Sequence, residues 1–113
     1  MNDVEQAVLK HEVGEVSPRL CIRSATRIDA GHWCRRVPLW LLVLEDELVL
    51  LAAGRRRFVA RVPFAEANES HYDHQAGALV IAPCEDLPVN QVAMKTSEAV
   101  RVLRCLGIDP AVG

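Results

Sequence analysis

The segment PLWLLVLEDELVLLAA, residues 38–53, limits the fold more than any other part of the chain. Its two apolar arms, 39–44 and 48–53, flank Glu45-Asp46-Glu47, so it reads as a β-hairpin with a charged tip. Successive side chains of a strand point to opposite faces. Leu39, Leu41 and Val43 therefore oppose Trp40, Leu42 and Leu44 on the first arm. On the second, Leu48, Leu50 and Ala52 oppose Val49, Leu51 and Ala53. A sheet with one side in water needs only one apolar face, so something must cover the other. Two covers are open to the chain: its own N-terminal segment, or a partner. The candidate interface consists of Leu39, Leu41, Val43, Val49 and Leu51, with Trp33 from the preceding loop as a further anchor.

A chain of 113 residues makes one domain with one core, here divided into an N-terminal helical segment (1–14) and a main body (16–107). Half of the residues are apolar and a quarter charged, which excludes a disordered composition. The net charge of −2 offers no overall attraction to nucleic acid or an anionic membrane, and neither is expected as a partner. Glu45-Asp46-Glu47 interrupts the longest apolar run, so no membrane span is expected. Asp3, Glu5 and Glu12 do not fit a signal peptide. The four cysteines (Cys21, Cys34, Cys84 and Cys105) form no CxxC pair, and reduced thiols in a cytoplasmic protein are the expectation.

Asn2 or Asp3 can cap a first helix, and Asn2 with Glu5 has capping-box spacing. Val4, Ala7, Val8 and His11 share one face of that helix, and Gly14 ends it. From Arg19 to Ile28 the pattern alternates: Leu20, Ile22, Ser24, Thr26 and Ile28 on one side, Arg19, Cys21, Arg23, Ala25 and Arg27 on the other. Residues 29–38 read as a loop and the hairpin follows. A fourth strand around Phe58, Ala60 and Val62 stops at Pro63. Weaker strands are predicted over 69–73, 78–82 and 89–94. Thr96 or Ser97 caps a final helix with Ala99, Val100, Leu103 and Leu106 at helical spacing. Gly107, Ile108 and Pro110 give it a Schellman ending.

About seven strands followed by one helix favour an antiparallel β fold with a helix across one end, a mostly β class, over βαβ winding. The hairpin WLLVLEDELVLL, the segment RFVARVPFAEA, the strand GALVI and the helix SEAVRVLRCLG occur in an order that resembles the pleckstrin-homology-like superfamily, particularly its small bacterial members. The resemblance spans residues 19–107. It implies a seven-stranded antiparallel barrel or sandwich of two near-orthogonal sheets, plugged by the C-terminal helix.

The same resemblance draws attention to two basic loops, Arg35-Arg36 and Arg55-Arg56-Arg57, because superfamily members that bind phosphoinositides use basic residues from those loops. Guanidinium forks suit phosphate oxygens. A solvated turn accounts for the same arginines without a ligand. His32, Cys34, His71 and His74 contain imidazole and thiol donors for a metal, but an HxxH on an extended strand aims its rings apart, and no metal or cofactor is expected. No nucleophile elbow, HExxH or glycine-rich phosphate loop occurs, so the expected role is not enzymatic. The sequence leads to a non-catalytic interaction module, self-associating or binding a protein through the outer face of 39–53, with anionic-ligand binding at the basic loops as the alternative and a small metal protein or hydrolase as a weaker one.

Overall fold

The hairpin is the centre of the larger of two sheets. In the computed structural model, which describes residues 1–29, 36–54, 57–84, 87 and 89–108, β2 (Arg36–Val43) pairs antiparallel with β3 (Glu47–Ala53). β1 (Leu20–Asp29) adds to the free edge of β2, and β4 (Arg57–Pro63) to that of β3, giving the order β1-β2-β3-β4. A short 3-10 turn, Phe64–Glu66, leads to a second antiparallel sheet of β5 (His71–Asp73), β6 (Ala78–Val80) and β7 (Gln91–Ala93). Helix α1 (Asp3–Glu12) precedes the sheets and α2 (Thr96–Cys105) follows them. The protein is thus mostly β. No strand pairing joins the sheets among the described residues, so of the two expected closures the sandwich fits and a closed barrel does not.

The principal core combines Ile22, Leu39, Leu41, Val43, Leu48 and Leu50 of the large sheet with Leu79 and Val92 of the small one. α2 contributes Ala99, Val102 and Leu103 to the same core. Each such leucine, isoleucine or valine stabilises the fold by roughly 1.5–3 kcal/mol relative to leaving it in water. Arg101 and Arg104 face out, as helical spacing requires. The helix starts one residue earlier than the capping pattern predicts: Lys95 is the N-cap, and Glu98 reaches back to accept its backbone N–H at 3.2 Å. Its end is the expected Schellman turn. Gly107 lies at φ +77°, its N–H donates to the Arg104 carbonyl, and the Ile108 N–H donates to that of Leu103.

The expected loop over 29–38 is shorter, because Arg36, Val37 and Pro38 already pair with Asp29, Ile28 and Arg27. Between Arg23, opposite Trp40, and Arg27, opposite Pro38, β1 holds a bulge of two extra residues. Ser24 stabilises it from inside. Its hydroxyl donates to the Leu39 carbonyl at 2.6 Å and accepts the Thr26 N–H at 3.2 Å. Thr26 Oγ1 in turn accepts the Ala93 N–H of β7 at 2.8 Å, so the two sheets meet at this kink. The two polar residues on the inward side of β1 are there to satisfy backbone groups that a straight ladder would have paired.

α1 begins with the expected capping box: the Asn2 side chain accepts the Glu5 N–H at 2.8 Å and Glu5 Oε1 accepts the Asn2 N–H at 2.9 Å. Its buried face differs from the helical-wheel expectation. Of Val4, Ala7, Val8 and His11 only Val8 is buried, and Val4 is 58% exposed. Glu5 and Val8 are buried instead, with Met1, Leu9 and Val13 packed beside them. The rotation follows from Glu5, whose second carboxylate oxygen accepts the indole N–H of Trp40 on β2 and so turns that flank of the helix onto the sheet.

Candidate functional site

The register of the large sheet decides which hairpin residues share a face. Leu41 lies opposite Leu50 and Val43 opposite Leu48, and with Leu39 they belong to the principal core. Trp40 opposite Leu51 and Leu42 opposite Val49 lie on the outer face with Leu44. The expected interface set therefore does not hold together. Val49 and Leu51 are on the outer face, whereas Leu39, Leu41 and Val43 are inward and fully buried. With both sides apolar, alternation along one arm carries no phase relative to the other; only the turn and the ladder supply it. Trp33 lies outside the described residues.

The outer face is organised in rows across the four strands. Arg23, Trp40, Leu51 and Val59 form one row; Cys21, Leu42, Val49 and Arg61 form the next. Toward one end of the sheet, Arg27 lies opposite Pro38 and Arg57 opposite Ala53. The middle strands thus make an apolar floor, and the edge strands raise arginines on both sides: Arg19, Arg23 and Arg27 beside β1, Arg57 and Arg61 beside β4. Each of these five is exposed.

α1 lies on this floor and closes a second apolar layer of Val8, Leu42, Leu44, Val49 and Leu51, outside the principal core. The cover questioned from the sequence is thus supplied within the chain. Polar contacts tie the helix down at both ends. Near its start is the Glu5–Trp40 hydrogen bond. At its end, Arg57 Nη1 donates to Glu12 Oε1 at 3.1 Å and lies 3.0 Å from His11 Nδ1. The hydrogen bond from Arg57, and after it that from His11, holds the Glu12 carboxyl below the usual carboxylate range. Arg61 is occupied differently, donating from Nε and Nη2 to Glu47 Oε1 at 3.0 and 2.6 Å. The β1 wall is another matter: Arg19, Arg23 and Arg27 make no ion pair among the described residues.

α1 also fails to fill the β1 side. Two open clefts run there. One of about 550 Å³ is bounded by Met1, Leu9, Pro18, Cys21 and Leu42. The other, of about 410 Å³, lies among Met1, Glu5, Arg23, Pro38 and Trp40. Desolvation pushes the Cys21 thiol above its ordinary value, so it stays protonated at neutral pH and is no activated nucleophile.

The two basic loops fall partly outside the described residues, which exclude Arg35, Arg55 and Arg56. Arg36 is exposed at the start of β2, and Arg57 is engaged with α1. His32 and Cys34 are likewise outside the described residues. His71 and His74 are exposed, the latter edge-on to Tyr72 at 4.9 Å between ring centroids. No group of three or more metal-donor side chains gathers among the described residues. Among them too, no helix is long and apolar enough to cross a membrane.

Sequence reasoning missed the Glu5–Trp40 contact, although a signal was present: an indole on a doubly apolar strand needs an acceptor, and the capping-box glutamate has a second oxygen to offer. Fold and surface together define a small two-sheet β-sandwich with a helix at the end of its core and a second helix in an arginine-walled cradle. No family model, no curated protein and no solved structure matches the chain.

Proposed function

We propose that the protein is a non-catalytic interaction module of pleckstrin-homology-like architecture, and that its working surface is the outer face of the large sheet. The four-plus-three strand order followed by a core-packed helix supports the architecture. The surface reading is carried by one observation: a complete apolar layer stands outside the principal core, covered by a single ten-residue helix. A helix of that length has little stability of its own in water, so it is a removable cover. Residues 13–19 join it to β1 through Gly14 at φ +100°, and Glu15, Val16 and Ser17 are exposed along that link. A second copy can use the face only by displacing α1 or exchanging it, which makes self-association a property of the opened form. Anionic-ligand binding at the loops has less support, since Arg57 already serves Glu12 and His11.

The test is Val8→Asp, which places a carboxylate in the outer layer while sparing the principal core. Light scattering and a hydrophobic dye report on the result. The wild-type chain is expected to be monomeric and dye-negative, and the variant to bind dye or dimerise with its β signature retained. A variant that stays monomeric and dye-negative shows that the outer face is not a latent surface.

A further inference from the structure

We infer that the occupant of the opened face is an acidic amphipathic helix of another protein, which displaces α1 from the arginine-walled cradle. The inference rests on the interaction-module reading and names the partner's chemistry. Adjacent strands lie about 4.8 Å apart, so the walls raised from β1 and β4 stand about 14 Å from each other. A helix with its side chains is about 10–12 Å across and fits that width. The floor of Trp40, Leu42, Val49 and Leu51 asks for an apolar stripe. The walls ask for carboxylates on both flanks of that stripe.

α1 forms an ion pair with a wall arginine on one side only. Glu12 serves Arg57 on the β4 wall, but Lys10 pairs with Glu15 of the link, at 3.3 Å, and offers nothing to the β1 wall. Arg23 lines one of the unfilled clefts, and it, Arg19 and Arg27 make no ion pair among the described residues. Three cations on one edge of a chain with net charge −2 form a local field, and its sign selects the partner. The two ends of the α1 tether then set how readily it gives way.

The experiment uses the full chain and a fluorescein-labelled peptide of residues 1–14 with Lys10→Glu, which adds a carboxylate where α1 has a cation. Fluorescence anisotropy compares wild type, Val8→Asp, and Val8→Asp combined with Arg23→Glu and Arg27→Glu. A neutralised peptide with Asp3→Asn and Glu12→Gln in the native sequence is the control. The acidic peptide is expected to bind Val8→Asp at least ten-fold more tightly than wild type. It should lose at least ten-fold on the arginine reversal and weaken with added salt. Equal binding of acidic and neutral peptides, or indifference to the arginine reversal, overturns the acidic partner and leaves the outer-face reading standing. Failure of both peptides to bind Val8→Asp overturns both. A Val8→Asp dimer that excludes the peptide identifies a second copy as the occupant and also overturns the inference.

Discussion

Trp40→Phe isolates the contact that holds the start of α1. Phenylalanine keeps an aromatic ring on the floor but removes the indole N–H that donates to Glu5. Glu5 is 6% exposed, and its other oxygen is committed to the Asn2 N–H, so the abandoned oxygen has little access to water. A hydrogen bond to a charged group contributes about 1.5–3 kcal/mol. That loss falls on the equilibrium between docked and undocked α1. At about 1.4 kcal/mol per factor of ten, the undocked fraction should rise roughly 10- to 150-fold. Native-state hydrogen exchange reads this directly at the amides of Leu9 and Val13, whose protection depends on α1 staying docked. Amides of β2 and β3, such as those of Leu41 and Leu50, should change far less. Glu5→Ala removes the same contact from the other side, so the double variant should cost much less than the sum of the two singles. An acceleration below about three-fold at Leu9 and Val13, or one that β2 and β3 match, would refute the reasoning: the first means the bond holds nothing, the second that the helix does not open on its own.

Ser24→Ala should destabilise the fold by about 2 kcal/mol in urea denaturation, because it strips partners from a carbonyl and an N–H at the β1 bulge. Gly107→Ala should cost about 1 kcal/mol by the same measurement, since alanine resists the left-handed conformation the Schellman turn requires. For the α1 tether the pH dependence has a definite sign. The Glu12 carboxyl is held below its ordinary value in the folded state, so its stabilising effect is present above the ordinary carboxylate range. It is lost as pH falls through that lowered folded value, and exchange in α1 monitored down the acid range should show a step that Glu12→Gln removes.

The alternation from Leu20 to Ile28 and the ending at Gly107-Ile108 were legible in the sequence, because each depends on local spacing or on one residue's conformation. The face of the hairpin was not. Leu39 to Ala53 is apolar at every position of both arms, and a pattern without polar positions cannot say which side is inward. The orientation of α1 failed for a related reason. Its wheel counts Val4 and Ala7 as apolar, but the deciding residue is Glu5, a charged side chain whose burial depends on an indole 35 positions away. For the same reason the arginine-walled cradle was invisible: Arg27 and Arg57 are remote in sequence and come to opposite edges of one face only when four strands pair.

The place of α1 in the chain has a consequence for how each molecule matures. Its ten residues are synthesised before any part of the floor they cover. Alone they are too short to hold a helix in water, and the surface that would hold them is complete only when β4 has joined β3. Closure of the outer layer therefore waits on the strands beneath it, since Leu42, Val49 and Leu51 come from β2 and β3.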